Sequence, residues 1–392
     1  MKLAFKLAYR NLIGAGLRTW LNVIVLSFSF VVIIWMKGIL LGWDHQAKTD
    51  MKNWQIGAGQ YWHEQYDPYD PFTLAESHAP IPEPLQSAIE NNEIVPVMIA
   101  QGTIYPQGRM ISVLIKGIKK DQTLLSLPTE KLDTTVDGAI PAIVGGNMAR
   151  ANKLAKGDYV TLQWRDDNGT FDAAQIFIAD IFYTNVPAVD GGQVWISLDE
   201  LQRMMLLPGE ATKLTCADSE KRFDLPEEWV HKSQATLTAD IDEMIKSKTV
   251  GQSVFYIILL LLAMLAIFDT QVLSIFRRQK EIGTYIALGY TRREVVWLFT
   301  IEGAMHAVLA AFVAAVYGIP FLLWQAKTGW SLPVEAGDYG IAMAQTLYPV
   351  YSVGLVLTTI FIVMLTTAVV SYWPSKKIAK MNPTEALRGK IQ

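Results

Sequence analysis

Four long apolar stretches limit what this chain can fold into more than any other feature. They cover residues 19–42, 249–276, 295–326 and 349–373, and each contains at most one charged side chain. A helix that crosses a bilayer needs roughly 20 mostly apolar residues. Only 18% of the 392 residues are charged, whereas about a quarter is usual for a soluble domain. The sequence therefore predicts an α-helical integral membrane protein with four transmembrane helices.

A cleavable signal peptide is the alternative interpretation of the first stretch. The stretch is long, and a basic segment of residues 1–18 precedes it. No small-x-small cleavage site occurs near Leu41-Gly42-Trp43, as a signal peptide would require. An uncleaved anchor is therefore predicted. Residues 1–18 are themselves predicted to form an amphipathic helix in the cytoplasmic interface, because Lys2, Lys6 and Arg10 form a basic stripe beside apolar side chains.

The distribution of charge predicts the orientation. Residues 1–18, 277–294 and 374–392 together contain 14 basic and three acidic side chains, whereas residues 43–248 contain 18 basic and 30 acidic ones. Basic loops stay on the cytoplasmic side. Both termini and the 277–294 loop are therefore predicted to be cytoplasmic. Residues 43–248 and the 327–348 loop are predicted to lie outside. A net charge of −3 without a basic tail makes a nucleic-acid partner improbable.

The predicted outer segment, residues 43–248, has a mixed α/β pattern. Runs rich in β-branched and aromatic residues predict strands at 111–115, 159–164, 174–182 and 194–196. Asp167-Asn168-Gly169 predicts a hairpin turn between the second and third of them. The capping box Ser197-Leu-Asp-Glu200 predicts a helix through Leu207, and Asn147–Leu154 predicts another. The proline-rich stretch 60–84 predicts an extended loop.

No pattern in the chain predicts catalysis. It contains no phosphate-binding loop of the G-x-x-x-x-G-K-[ST] type, and its single cysteine, Cys216, excludes an internal disulfide. The histidines outside the membrane show no metal-ligand spacing. Asp67 and Asp70 supply too few oxygens for the six to eight that calcium takes. No cofactor or metal is therefore expected on this chain.

The 277–294 loop is the most informative segment. Ile282, Tyr285, Ile286 and Leu288 form a short apolar helical face, and Gly289 is suited to end that helix. Thr291-Arg292-Arg293-Glu294 is a second capping box, which starts the third membrane helix. The sequence thus predicts a short surface helix between two membrane spans. An ordinary membrane-surface loop and a docking element for a cytoplasmic partner are both compatible with this pattern.

Three polar candidates lie within the second and third predicted spans: Asp269, Glu302 and His306. Ionisable groups at membrane depth are functional candidates. The alternative for Asp269 is an acid near the interface close to Arg277, and Glu302 is open to the same interpretation.

Several of these segments together resemble one protein family. One run of the chain resembles the signature of the FtsX-like permeases, the membrane subunits of MacB-type (type VII) ABC transporters. The run contains Asp269-Thr, Arg277-Arg-Gln-Lys-Glu281-Ile-Gly283, Ala287-Leu288-Gly289 and Glu302-Gly303. Leu7–Leu12 is similar to the start of that family, and Pro374–Arg388 to its end. Gly145–Ala149, Leu154–Asp158 and Ser197-Leu198 resemble its periplasmic core domain. Asp269 departs from the family, which often has Asn there.

The resemblance implies a fold of four transmembrane helices in a bacterial inner membrane, with one large extracytoplasmic α/β domain between the first two. It implies pairing with a second permease, as a copy or a paralogue, on a dimeric cytoplasmic ABC ATPase that binds ATP and Mg²⁺. The ATPase-coupling residues would be Glu281, Ile282, Gly283, Ala287, Leu288, Gly289, Thr291, Arg292 and Arg293. No enzymatic activity is expected of this chain itself.

Length and outer-domain size most resemble the lipoprotein-releasing subunits LolC and LolE. A lipoprotein or similar amphipathic substrate, membrane lipid and a periplasmic chaperone are then the expected partners. Two alternatives stay open: a regulator of cell-wall hydrolases that works by mechanotransmission, as in FtsX, and a macrolide or peptide efflux permease. An intramembrane enzyme or sensor is disfavoured, because the sequence has neither paired catalytic groups nor a cytoplasmic output domain.

Overall fold

The computed structural model describes residues 17–331 and 346–377. The interfacial helix predicted before residue 17, the middle of the 327–348 loop and the C-terminal motif at Asn382–Arg388 lie outside the described residues. The helices are α1 Leu17–Met51, α2 Gln86–Glu90, α3 Gly146–Asn152, α4 Pro187–Asp190, α5 Leu198–Met205, α6 Gln234–Leu237, α7 Ala239–Arg277, α8 Gln279–Ala287, α9 Arg292–Thr328 and α10 Val353–Ser375.

The strands are β1 Gly59–His63, β2 Ala79–Pro80, β3 Ile94–Ile104, β4 Ile111–Ile118, β5 Ala139–Gly145, β6 Tyr159–Arg165, β7 Phe171–Phe182, β8 Gln193–Ser197, β9 Glu210–Ala211, β10 Lys213–Cys216, β11 Trp229–Ser233, β12 Trp330–Ser331 and β13 Thr346–Leu347. Contacts divide the chain into two units. Asp44–Met244 forms most of the α/β unit, while the helical unit contains Ile245–Trp330 and the described residues before Asp44 and from Tyr348 onward.

The helical unit contains the predicted membrane spans. The four helices α1, α7, α9 and α10 are long and apolar enough to cross a membrane, which agrees with the four stretches found in the sequence. Helices α1 and α7 extend well beyond the predicted 19–42 and 249–276 spans, since polar residues continue both helices at one end.

Small residues let the helices of this unit pack closely. Ala307, Ala310 and Ala314 on α9 are buried against Phe30 and Val363. Gly303 lies on the same side of α9, where an added Cβ would overlap the Ser371 side chain of α10. Close approach through small residues is a common basis of helix association in membranes, where the hydrophobic effect gives little drive.

The α/β unit is built on a nine-stranded sheet in the order β11-β1-β10-β3-β4-β8-β5-β7-β6. An additional antiparallel pairing of β3 with β6 closes six of the strands into a barrel, since β3 then pairs with both of its neighbours in the ring. Alternate residues of β3 serve two cores: Met98, Ala100 and Ile104 face the barrel interior, whereas Val97 and Ile99 face outward. Strands β10, β1 and β11 extend the sheet beyond the barrel.

The strand and helix predictions for this unit agree with the structure. All four predicted strands are present, as β4, β6, β7 and β8, and Gly169 adopts φ +82° in the β6–β7 turn. The Ser197 hydroxyl accepts the Glu200 N–H at 3.3 Å and begins α5.

The prediction of an extended loop over 60–84 is wrong in part. Strand β1 occupies its start, and 3-10 turns follow at Pro71–Glu76 and Glu83–Leu85. The Asp67 and Asp70 carboxylates accept the N–H groups of Tyr69 at 2.9 Å and Phe72 at 3.0 Å. These carboxylates therefore stabilise turns. The pattern of apolar and polar residues does not predict such turns.

Candidate coupling site

Helix α8 is separated from α7 by one non-helical residue. Arg278 has φ −104° and ψ 22°, which interrupts the helix between Arg277 and Gln279. At its other end the Gly289 N–H bonds to the Ile286 carbonyl and the Tyr290 N–H to the Tyr285 carbonyl, both at 3.1 Å, with Gly289 at φ +97°. This pattern is a Schellman motif. The left-handed glycine expected from the sequence therefore ends α8.

The second capping box also forms as the sequence predicts. The Thr291 hydroxyl accepts the Glu294 N–H at 3.3 Å, and the Glu294 carboxylate accepts the Thr291 N–H at 2.8 Å. The hydrogen bonds that this carboxylate accepts from the Thr291 N–H and from the Thr291 hydroxyl hold the pKa of the Glu294 carboxyl below its usual value. Two well-defined helix ends thus fix the turn between α8 and α9.

One face of α8 packs into the helical unit. Ile282 is fully buried in a cluster with Ile275 of α7 and with Val295, Val296 and Phe299 of α9. Gly283 is buried beside it. These contacts hold α8 against the ends of both neighbouring helices.

Arg278 joins α8 to α9 by ion pairs. Its Nη1 lies 2.9 Å from both carboxylate oxygens of Glu302, and its Nε lies 2.7 Å from the Glu281 carboxylate. The guanidinium also lies over the Phe299 ring, with Cζ 4.8 Å from the ring centroid. Only 18% of the Arg278 side chain and 9% of the Glu302 side chain are exposed. We call Arg278, Glu281 and Glu302 the arginine clamp.

The opposite side of this segment faces outward as one continuous exposed surface. Leu288 is 73% exposed and Tyr290 41% exposed. Of the predicted coupling residues, the structure buries Ile282 and Gly283, and exposes Glu281, Ala287, Leu288, Gly289, Thr291, Arg292 and Arg293.

The three predicted intramembrane residues do not form one site. Glu302 and His306 are buried one turn apart on α9, and the His306 ring lies 3.1 Å from the Glu302 carbonyl. Asp269 is exposed on α7, and its carboxylate makes no hydrogen bond or ion pair with the described parts of the chain.

Sequence reasoning assigned no site role to Arg278, Gln271 or Ser371. Gln271 and Ser371 are 2% and 0% exposed, and both lie against Gly303. Arg278 had the appearance of one more basic residue at a membrane boundary. The role of Arg278 could have been predicted from its spacing to Glu302, since a buried acid in an apolar helix needs a cation from a neighbouring element.

An apolar groove lies elsewhere in the helical unit, between α1, α7 and α10. It has a volume of about 490 Å³ and is lined mainly by aliphatic side chains such as Leu40, Leu260 and Ile362. Lys37 and Gln252 supply polar groups to it, and the Lys37 ammonium lies 5.6 Å from the Tyr256 ring centroid. The groove thus combines a long apolar wall with a cation.

Comparison with known families decides what kind of helical unit this is. Residues 253–383 match the model of the FtsX-like permease C-terminal domain. The chain carries an FtsX-like permease domain. The match covers about a third of the chain and includes α8, the arginine clamp and helices α9 and α10, so the family resemblance inferred from the motifs of this segment is confirmed there.

Three proteins similar to this chain carry the name macrolide export ATP-binding/permease protein MacB. The protein from Bdellovibrio bacteriovorus is 28% identical over 125 residues, which is 32% of this chain and 17% of the relative. The protein from Sodalis glossinidius is 25% identical over 37% of this chain and 21% of its own length. The protein from Wolinella succinogenes is 25% identical over 50% of this chain and 27% of its own length. The matched regions therefore span about a quarter or less of these relatives.

Proposed function

We propose that this chain is the permease subunit of an ABC transporter whose ATPase is a separate cytoplasmic chain, present as a dimer that binds ATP and Mg²⁺. The observation that carries the proposal is the construction of α8. One face is fixed by Ile282 and the arginine clamp, and the other presents Leu288 and Tyr290 to a partner. An exposed aromatic and aliphatic pair on a rigid support is typical of a protein interface.

In this proposal a movement of the ATPase is passed on through α8 to two membrane helices. Arg278 connects α8 to α9 through Glu302, and the α8 backbone is continuous with α7 except at Arg278 itself. Helices α7, α8 and α9 of the FtsX-like domain would then move together as one packed group, and the individual helices would not bend. The termini and α8 would be cytoplasmic, and the α/β unit extracytoplasmic in an inner membrane.

We propose a lipoprotein or a similar amphipathic molecule as the substrate. The groove between α1, α7 and α10 supports this choice, because its aliphatic walls suit an acyl chain and Lys37 suits an anionic group. A second permease, as a copy or a paralogue, and a periplasmic chaperone complete the proposed assembly.

The experiment is purification of the tagged chain in mild detergent, with mass spectrometry of the proteins that accompany it. We expect an ATPase with a phosphate-binding loop to co-purify. Leu288→Arg should abolish its recovery, because a charge would replace an apolar contact, while expression stays normal. Leu206→Arg is the control, since Leu206 is another leucine that is more than half exposed but lies in the α/β unit. Recovery of the functional chain without any ATPase would refute the proposal.

Macrolide or peptide efflux is the second candidate, favoured by the names of the three relatives. Deletion of the gene separates the two. Macrolide sensitivity without retention of lipoproteins in the inner membrane would favour efflux, and the reverse result would favour lipoprotein release. Capture of a cell-wall hydrolase by the chain would instead favour the mechanotransmission alternative.

A further inference from the structure

Two buried lysines share one face of the sheet in the α/β unit. Lys213 of β10 lies opposite Val97 of β3, and Lys116 of β4 lies opposite Ile99. Because Val97 and Ile99 are two residues apart on one strand, all four side chains leave the sheet on the same side. That side is the outer face of the barrel. Each lysine is only 4% exposed. We call this region the lysine face.

Neither ammonium group has a counter-charge among the described residues. Over residues 17–331 and 346–377, no carboxylate forms an ion pair with Lys116 or Lys213. A shortage of acids does not explain this, since residues 43–248 contain 30 acidic residues against 18 basic ones. Burial lowers the pKa of Lys213 to about 8 and that of Lys116 well below its usual value. An unpaired buried ammonium is unfavourable.

Tryptophans lie next to both lysines. Trp195 of β8 is the direct neighbour of Lys116, whose Nζ lies 5.0 Å from the centroid of its ring. Trp62 of β1 is the direct neighbour of Lys213 on the other side. The indole N–H of Trp195 is buried and has no acceptor in the described part of the chain. The lysine face therefore combines two buried amines with an unused hydrogen-bond donor.

A purely structural role fits these observations poorly. Aliphatic side chains fill the equivalent outward positions of β3, where Val97 and Ile99 are buried without polar atoms. An aliphatic residue at 116 or 213 would fill the same volume and avoid burial of an amine. The donors instead match a group that carries negative charge and several acceptor atoms.

We propose that the lysine face binds an oxyanion of the phosphate class, held by Lys116 and Lys213 with the Trp195 N–H as a further donor. Phosphate is favoured over carboxylate because it carries between one and two negative charges near neutral pH and offers three acceptor oxygens. Lysine binds phosphate as a compact point charge. The phosphate could belong to the free ion or to a phospholipid headgroup. The proposal is independent of the ATPase partner proposed above.

The test is the thermal stability of the purified full-length chain in detergent, with chloride at equal ionic strength as the reference. The probes are inorganic phosphate and the short-chain lipid dihexanoyl phosphatidic acid. At ten times Kd we expect a bound anion to raise the Tm by about 3 °C. The rise should disappear in Lys213→Met and Lys116→Met. It should remain in Lys120→Met, since that side chain is 42% exposed and pairs with Asp133 outside the lysine face.

A rise with phosphate assigns the free ion, and a rise with the lipid alone assigns a headgroup. The absence of any rise with both probes would overturn the proposal, as would an equal rise in the two lysine variants. Equilibrium dialysis of the unmodified chain against radiolabelled phosphate and radiolabelled dihexanoyl phosphatidic acid gives a check that does not depend on folding of the variants. The chain should retain a single bound anion from one of the two probes. Retention of neither probe would contradict a site here.

Discussion

At the scale of single residues, Arg278 has the most specific set of contacts in the permease domain. Its guanidinium pairs with Glu302 and Glu281 and covers the Phe299 ring. Its neighbour Arg277 is exposed. The two adjacent arginines thus differ in burial and contacts while sharing charge and length, which makes Arg277 a matched control.

We expect Arg278→Ala to destabilise the chain by about 3 kcal/mol, because it removes the cation that lies 2.9 Å from the buried Glu302 carboxylate. Arg277→Ala should change stability by less than about 0.5 kcal/mol, as is usual at exposed sites. The measurement is the Tm of each variant in detergent. Arg278→Ala/Glu302→Ala should recover part of the loss, since the buried Glu302 charge is then also absent. Equal Tm values for the two arginine variants would show that the clamp does not stabilise the helical unit.

The pKa of Lys213 predicts a pH dependence of stability. The amine has a pKa of about 8 when folded, compared with 10.5 when exposed. Between these pH values the unfolded chain binds more protons, so stability rises with pH, and below pH 8 the full cost of charging remains. Lys213→Met should therefore stabilise the chain at pH 7 in phosphate-free buffer, by up to about 3 kcal/mol, although Lys116 still faces the same region.

Thermal melting at pH 7 and pH 10 tests this expectation. The Tm advantage of Lys213→Met over the unmodified chain should shrink at pH 10, where the buried amine is neutral. A variant that melts lower than the unmodified chain at pH 7 in the absence of phosphate would show that Lys213 stabilises the fold by itself.

At the scale of helices, Gly303 sets how closely α9 approaches α10. An added Cβ there would overlap the Ser371 side chain and lie 2.9 Å from Gln271 Nε2. Gly251 of α7 is also within a helix, but nothing lies within 4 Å of its added Cβ. The two glycines therefore separate the effect of helix propensity from the effect of packing.

We expect Gly303→Ala to destabilise the helical unit by about 2 kcal/mol, because α9 and α10 must move apart. Gly251→Ala should instead be neutral or stabilising by up to about 1 kcal/mol, since alanine favours a helix. Tm measurements on the two single variants check this. Similar effects of both substitutions would mean that the helices tolerate a wider spacing.

Among the helices and strands, features set by nearby residues could be predicted from the sequence, whereas contacts between distant segments could not. The C-terminal end of α8 and the start of α9 were predictable, because Gly289, Thr291 and Glu294 act on backbone groups within a few residues of themselves. The strands were predictable from their β-branched residues for the same local reason. Closure of the barrel was not, because it depends on the pairing of β3 with β6, and the register between Gly102 and Trp164 is set by distant packing. The Arg278–Glu302 contact was missed for the same reason.

At the scale of the whole molecule, the predicted membrane topology can be tested with the chemistry of the native cysteine. Burial raises the pKa of Cys216 to about 12, so its thiol should resist labelling. A cysteine introduced at another position would then be the residue that the reagent labels. Asn168 lies in the exposed β6–β7 turn, and Tyr290 lies in the exposed turn after α8.

We expect a membrane-impermeant maleimide to label Asn168→Cys in intact spheroplasts, because the α/β unit is proposed to be extracytoplasmic. Tyr290→Cys should be labelled only after the membrane is opened. Labelling of Tyr290→Cys in intact spheroplasts would reverse the proposed orientation. The unmodified chain is the control for the native cysteine.

The order of strands at the edge of the sheet has a mechanical consequence. The chain enters the α/β unit through β1, shortly after α1, and leaves through β11, shortly before α7. These two strands are hydrogen-bonded neighbours, and Gly59 at the start of β1 faces Ser233 at the end of β11. A tensile load that separated α1 from α7 would therefore peel this ladder from one end, one pair at a time. Peeling needs less force than sliding two strands past each other, so the β1–β11 ladder would yield before the closed barrel does.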